Sequence, residues 1–238
     1  MMKDRDPGGS RNGPDVARKR RHRRQRRPAP SMEFERAAAT KGYSHIAGVD
    51  EVGRGCLAGP VVAAAVILEP GRRIRGVRDS KVLSSSERER LARLIEQRAI
   101  GVGLGICTAV EIDEMNILRA SLEAMRRALR SLDPPPDFAL VDGNQGLPES
   151  PCSFELIVDG DDRCHAIAVA SVVAKVARDK MMLDFDKLYP AYRLASNKGY
   201  ATSAHFDALE SIGLSPIHRR TFRWKREHAD QIELFANL

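Results

Sequence analysis

Two adjacent carboxylates, Asp50 and Glu51, stand where a short apolar run meets a glycine-bracketed arginine, Gly53-Arg54-Gly55. These residue types suit metal-assisted phosphate chemistry. Carboxylate oxygens bind hard divalent cations, while glycine amides and a planar guanidinium suit a phosphate. Glycines at 53 and 55 also let the backbone approach a ligand without a Cβ in the way. An Asp-Glu pair before a glycine turn is equally at home in a solvated hairpin, so the surrounding elements and further acids must decide.

Residues 46–68 read as strand, tight loop with a Gly59-Pro60 turn, and second strand of small and β-branched residues. Successive strand residues point to opposite faces, so Asp50 and Glu51 are expected to share a site only at a strand end. Two later runs also lead into acids. Phe138–Val141 delivers Asp142 before Gly143-Asn144, and Phe154–Val158 leads into Asp159-Gly160-Asp161-Asp162. Three expected strand ends thus carry acids, the usual way to assemble a two-metal site. In the last cluster the local pattern leaves Asp159, Asp161 and Asp162 all open.

Helical patterns fill the intervals. Ser84 and Glu87 have capping-box spacing for a helix through about Arg98. Glycines alternate along an expected strand, Gly101–Cys107, and a helix is expected from about Ala109 to Leu132, stopped by Pro134-Pro135-Pro136. From about Ala166 to Leu188, Val169, Val172, Val173 and Val176 mark a buried helix face. The first two strands are joined too tightly for a crossover helix. The fold class is therefore α/β, with a mixed sheet that is antiparallel at its beginning and flanked by helices.

The charge of the chain is unevenly placed. Residues 1–31 hold eleven of the 39 Lys/Arg and three of the 32 Asp/Glu, leaving 28 bases against 29 acids in the remainder. The expected organisation is a disordered basic arm over 1–40, able to contact nucleic acid non-specifically, and a catalytic body over 41–188. A small helical portion over 189–230 and a tail over 231–238 complete it. No apolar run approaches the roughly 20 residues of a membrane span, and the basic start lacks the apolar stretch of a secretory signal. Four scattered cysteines with no Cys-x-x-Cys pair argue against a zinc site or disulfide framework and fit a cytoplasmic location. No long heptad or apolar patch demands assembly, so a monomer is expected.

The opening string resembles the signature of ribonuclease HII, the type 2 ribonuclease H family. The resemblance runs from Ala47 to Trp224 in the family's order. It continues through Asp79-Ser80-Lys81, Glu111–Leu118, Val141-Asp142-Gly143-Asn144, Gly160-Asp161, Ala170–Asp179, Lys198-Gly199-Tyr200-Ala201-Thr202 and His218-Arg219-Arg220-Thr221-Phe222. It implies a ribonuclease H-like body in which Asp50, Glu51, Asp142 and Asp161 ligate two Mg²⁺ or Mn²⁺ ions. It further implies that Gly53, Arg54 and Gly55 grip the nucleotide at the scissile phosphate, while Tyr200 packs on the sugar and reads its 2′-hydroxyl, the group that separates RNA from DNA.

The implied substrates are RNA–DNA hybrids and duplex DNA carrying single ribonucleotides, cut to 3′-hydroxyl and 5′-phosphate ends. Lys81 and Lys198 are expected phosphate contacts, and Lys175 is balanced between substrate contact and a surface pair with Asp179. Asp159 replaces the lysine usual before Gly-Asp, and Ala201 replaces a usual proline. His165, His205 and His218 lack metal-ligand spacing and read as structural. At the tail, Gln231, Leu234 and Phe235 resemble the short peptides that bind the bacterial sliding clamp, a partner expected from pattern alone. Two alternatives stand: another two-metal nuclease on this fold, and a non-catalytic nucleic-acid-binding protein using the arm.

Overall fold

A computed structural model describes residues 29–78 and 80–222. The expectations for the arm's first 28 residues and for the 231–238 tail lie outside the described residues. Five strands form one mixed sheet in the order β3-β2-β1-β4-β5. These are β1 Ile46–Val52, β2 Val61–Leu68, β3 Ala99–Cys107, β4 Phe138–Asp142 and β5 Ser153–Ile157. β1 pairs antiparallel to β2, and β2 to β3, whereas β4 and β5 run parallel to β1. The tight first connection therefore makes the antiparallel half, as expected. In the parallel half a helical segment carries the chain from β3 to β4, while a loop without a helix, 143–152, joins β4 to β5.

Helices cover both faces. On one side lie α3, Ala109–Met115, and α4, Ile117–Arg130; on the other lie α2, Ser85–Arg98, and the long α6, His165–Leu188. Burial on both faces explains why β2 reads Val-Val-Ala-Ala-Ala-Val-Ile-Leu without polar alternation. Small residues let the helices approach very closely. A Cβ on Gly105 would fall 1.9 Å from the Ala124 carbonyl oxygen of α4, and one on Gly48 would fall 2.1 Å from the Ala166 backbone of α6. The alternating glycines of β3 are therefore a packing surface.

Ser84 and Glu87 form the expected capping box at α2. Three expectations need correction. The segment expected to be disordered through residue 40 carries α1, Glu33–Thr40, whose Ala38 is buried and whose Glu35 carboxylate accepts the Ala166 N–H at 2.7 Å. Acids in its first turn and a contact to the start of α6 fix it to the body, features too short to stand out beside the arginine run. The single helix expected over 109–132 is two, because Asn116 adopts φ 72 and caps the second by accepting the Arg119 N–H. The expected strand end bearing Asp161 is instead the short helix α5, Gly160–Arg163, entered through Asp159 at φ 53.

Beyond α6 the chain makes one short helical turn, Pro190–Tyr192, and the helices α7, Leu194–Asn197, and α8, Ser203–Ile212. They enclose a satellite core of Leu57, Met182, Tyr192, Leu194, Phe206 and Leu209. That core ties the helical portion to the loop after β1.

Candidate active site

The pairing of β1 with β4 ends at Val49 opposite Val141, while β1 continues against β2 through Val52. Asp50 and Glu51 thus lie inside β1, not beyond it, and share a site because β4 stops alongside at Asp142. Oxygen atoms of Asp50, Glu51 and Asp142 all come within 4.8 Å of one another. Asp50 is 6 % exposed, and its Oδ1 accepts the Glu51 N–H at 2.8 Å. Asp142 Oδ1 accepts the Gly160 N–H at 2.7 Å, an approach that leaves no room for a side chain at 160.

Like charges in a dry place resist ionisation. Burial first, then the charges of Asp142, Glu51 and Asp161, holds Asp50 well above the usual carboxylate range. Burial and Glu51 push Asp142 up to about 6, and burial raises Glu51 although Arg54 opposes it. Glu51 Oε2 is buried without a hydrogen-bond partner among the described residues. An all-oxygen donor set, mutual repulsion and an orphaned carboxylate oxygen fit a hard divalent cation.

Asp161, on α5, stands outside that three-acid cluster. Of the three acids in that turn, it is the one whose charge raises both Asp50 and Asp142. Lys81 Nζ lies 3.6 Å from its Oδ2. Asp159 holds the left-handed entry to α5, a conformation that aspartate tolerates better than most residues.

The Gly-Arg-Gly loop adjoins the acids. Arg54 Nη1 lies 3.4 Å from Glu51 Oε1, and its buried Nε has no partner among the described residues. Gly53 has φ 100, and a Cβ there would sit 2.3 Å from Arg178 Nε. Tyr200 is 40 % exposed, with Lys175 Nζ 5.7 Å from its ring centroid. Lys175 also pairs with Asp179 at 2.7 Å, and Asp179 lies 3.6 Å from Arg88, so the lysine is tethered beneath the tyrosine. Lys198 is half-buried, and its carbonyl accepts from Arg178.

A family model described as Ribonuclease HII matches residues 47–225. The chain belongs to the ribonuclease HII family. It is therefore an endonuclease of RNA. A curated Ribonuclease HII of Geobacter sulfurreducens is 49 % identical over 202 residues, covering 84 % of this chain and 93 % of that one. Among solved structures, the ribonuclease HII in a PCNA complex from Archaeoglobus fulgidus superposes with TM-score 0.65 at 25 % identity, over 79 % of this chain and 99 % of that one. A Bst-RNase HIII structure in complex with Mn²⁺ shares the fold at TM-score 0.60 and 17 % identity, covering 81 % of this chain and 70 % of that one.

Three ribonuclease HII acids expected from sequence, Asp50, Glu51 and Asp142, form one cluster here, and Asp161 acts on it electrostatically. Missed by sequence reasoning was Ser171 on α6, whose hydroxyl lies 3.0 Å from that of Ser80 and slightly offsets the upward shift of Asp50. Its place one turn before Lys175 in the Ala170–Asp179 string was the available signal. The three histidines are buried, as a structural reading requires. His165 Nε2 accepts the Ile74 N–H at 3.0 Å, and His205 and His218 meet Nε2 to Nε2 at 3.0 Å.

Proposed function

We propose that this ribonuclease HII family chain hydrolyses RNA in RNA–DNA hybrids and at single ribonucleotides embedded in duplex DNA. The products carry 3′-hydroxyl and 5′-phosphate ends. The observation that carries the reading is the convergence of Asp50, Glu51 and Asp142 oxygens within 4.8 Å, beside Arg54.

Asp50, Glu51, Asp142 and Asp161 would hold two Mg²⁺ or Mn²⁺ ions. When bound, such ions supply an ionised water for attack and neutralise charge on the leaving oxygen. The rest falls to the chain. Gly53, Arg54 and Gly55 place the scissile phosphate over the acids, with the Arg54 guanidinium swinging between Glu51 and the phosphate. Tyr200 packs on the ribose and discriminates its 2′-hydroxyl from the hydrogen of DNA. Lys81, Lys175 and Lys198 offset the charge of the nucleic-acid backbone in this reading. The chain acts in this reading as a cytoplasmic monomer, its tail residues Gln231, Leu234 and Phe235 docking on a sliding clamp. Deleting the last eight residues should abolish clamp pull-down and leave cleavage intact.

The deciding experiment uses a DNA duplex with one ribonucleotide beside an all-DNA control, with Mg²⁺ or Mn²⁺, for wild type and Asp142→Asn. A cut 5′ to the ribonucleotide, absent from the control and the variant, is expected. Cutting of both duplexes by wild type would point to a general nuclease on this fold. Binding without cutting would point to a nucleic-acid-binding protein.

A further inference from the structure

Two arginines, Arg178 and Arg219, are among the most completely buried large side chains of the protein. Neither forms an ion pair among the described residues; both spend their donors on backbone carbonyls. Arg178 donates to Pro60, Lys198 and Ala58. Arg219 donates to Gly53 at 2.7 Å, Arg54 at 2.8 Å and Gly59 at 2.9 and 3.1 Å. In a trans peptide the N–H points opposite to the preceding C=O. Drawing the Gly53 and Arg54 carbonyls inward onto Arg219 therefore turns the Arg54 and Gly55 N–H groups away from the core. No hydrogen bond is formed to either N–H among the described residues, and these two residues are partly exposed between buried Gly53 and buried Cys56. Burial brings Arg219 down to about 10, which still leaves it cationic at neutral pH.

We propose that Arg219 is a positioning residue that presents the Arg54 and Gly55 amides as a preformed donor pair for an oxygen of the nucleotide backbone, phosphate or 2′-hydroxyl. The proposal rests on the reading of this loop as the substrate grip. The guanidinium contributes twice: its fork fixes two consecutive peptide planes, and its unneutralised charge favours an anion at the exposed N–H edge. Lysine, with one ammonium, cannot hold three carbonyls in that fork geometry.

The test begins with amide NMR spectra of the full chain, titrated without divalent ions with a hybrid, a single-ribonucleotide duplex and an all-DNA duplex. The Arg54 and Gly55 amide resonances should move on binding. Movement with every duplex identifies phosphate as the acceptor; movement only with ribose-containing duplexes identifies the 2′-hydroxyl. Wild type that cleaves while these amides stay still overturns the inference alone, and wild type that fails to cleave overturns the functional reading. In kinetics, Arg219→Lys should raise KM about tenfold with kcat nearly kept, and Arg219→Gln should cost about 10²-fold in kcat/KM. The core variant Ile95→Ala, at a comparable loss of Tm, should leave KM unchanged. Equal KM changes in Arg219→Lys and Ile95→Ala would also overturn it, and the wild-type NMR result decides even where a variant does not fold.

Discussion

The acid cluster and the arginine hub are neighbours built on opposite rules. Asp50, Glu51 and Asp142 crowd negative charge into a dry notch, where each raises the proton affinity of the others or leaves an oxygen without a partner. Arg178 and Arg219 bury positive charge just as deeply, yet among the described residues all their side-chain hydrogen bonds go to carbonyls that accept them. A carbonyl dipole satisfies a guanidinium without adding a charge, so the hub is complete before substrate arrives. The acids can be relieved only by protons or cations. One region is finished by folding and the other by its ligands.

Removing an acid breaks this contrast most severely. Asp142→Asn should lower the cleavage rate by about 10³-fold, since loss of one ligand weakens charge neutralisation worth several kcal/mol. The same variant should be more stable than wild type without metal at pH 8, because it deletes repulsion. A rise in Tm of roughly 2–6 °C is expected, and a fall would mean that the carboxylate is stabilising as it stands.

Breaking the hub should act in the opposite sense. Arg178→Met orphans the Pro60, Lys198 and Ala58 carbonyls and should cost about 3–5 kcal/mol in chemical denaturation. A neutral result would place water at those carbonyls. Millimolar Mg²⁺ should then raise the wild-type Tm, by about 2.7 kcal/mol of stability at a hundredfold excess over Kd, and should raise that of Asp142→Asn far less. Equal shifts in both would locate the ion elsewhere.

The smallest effect concerns pH. Burial, with Arg73 adding to it, lowers His165 to about 4 from an ordinary 6.5, so the folded protein keeps this ring neutral while the unfolded chain protonates it. Its contribution is whole above pH 6.5 and is lost as pH falls towards 4, at most about 3 kcal/mol. Stability of His165→Gln, measured by urea unfolding between pH 6.5 and 4, should fall less steeply than that of wild type. Parallel slopes would mean that the ring is already charged in the fold.

Particular residues show how much was legible. Ser84 and Glu87 announced their helix because a capping box is a contact three residues long. The Asp50-Glu51-Val52-Gly53-Arg54-Gly55 string announced its chemistry because its ligands and glycines are adjacent in the chain. Asp161 was placed on a strand because a left-handed Asp159, which starts a helix instead, leaves little trace in composition. Arg219 entered only as part of the His218–Phe222 string, with no role of its own. Its partners lie 160–166 residues away, and no local pattern records them.

The amino-acid order alone determined the fold class, the mixed sheet, the family and the candidate acids, since periodicity, turn chemistry and contiguous motifs are local properties. Tertiary structure alone decided that β4 ends beside Asp50, that Ser171 meets Ser80, and that a buried guanidinium orients the Gly-Arg-Gly amides. Those facts depend on distances between segments far apart in the chain, which only the packing of α6 and the 215–222 loop against the sheet sets.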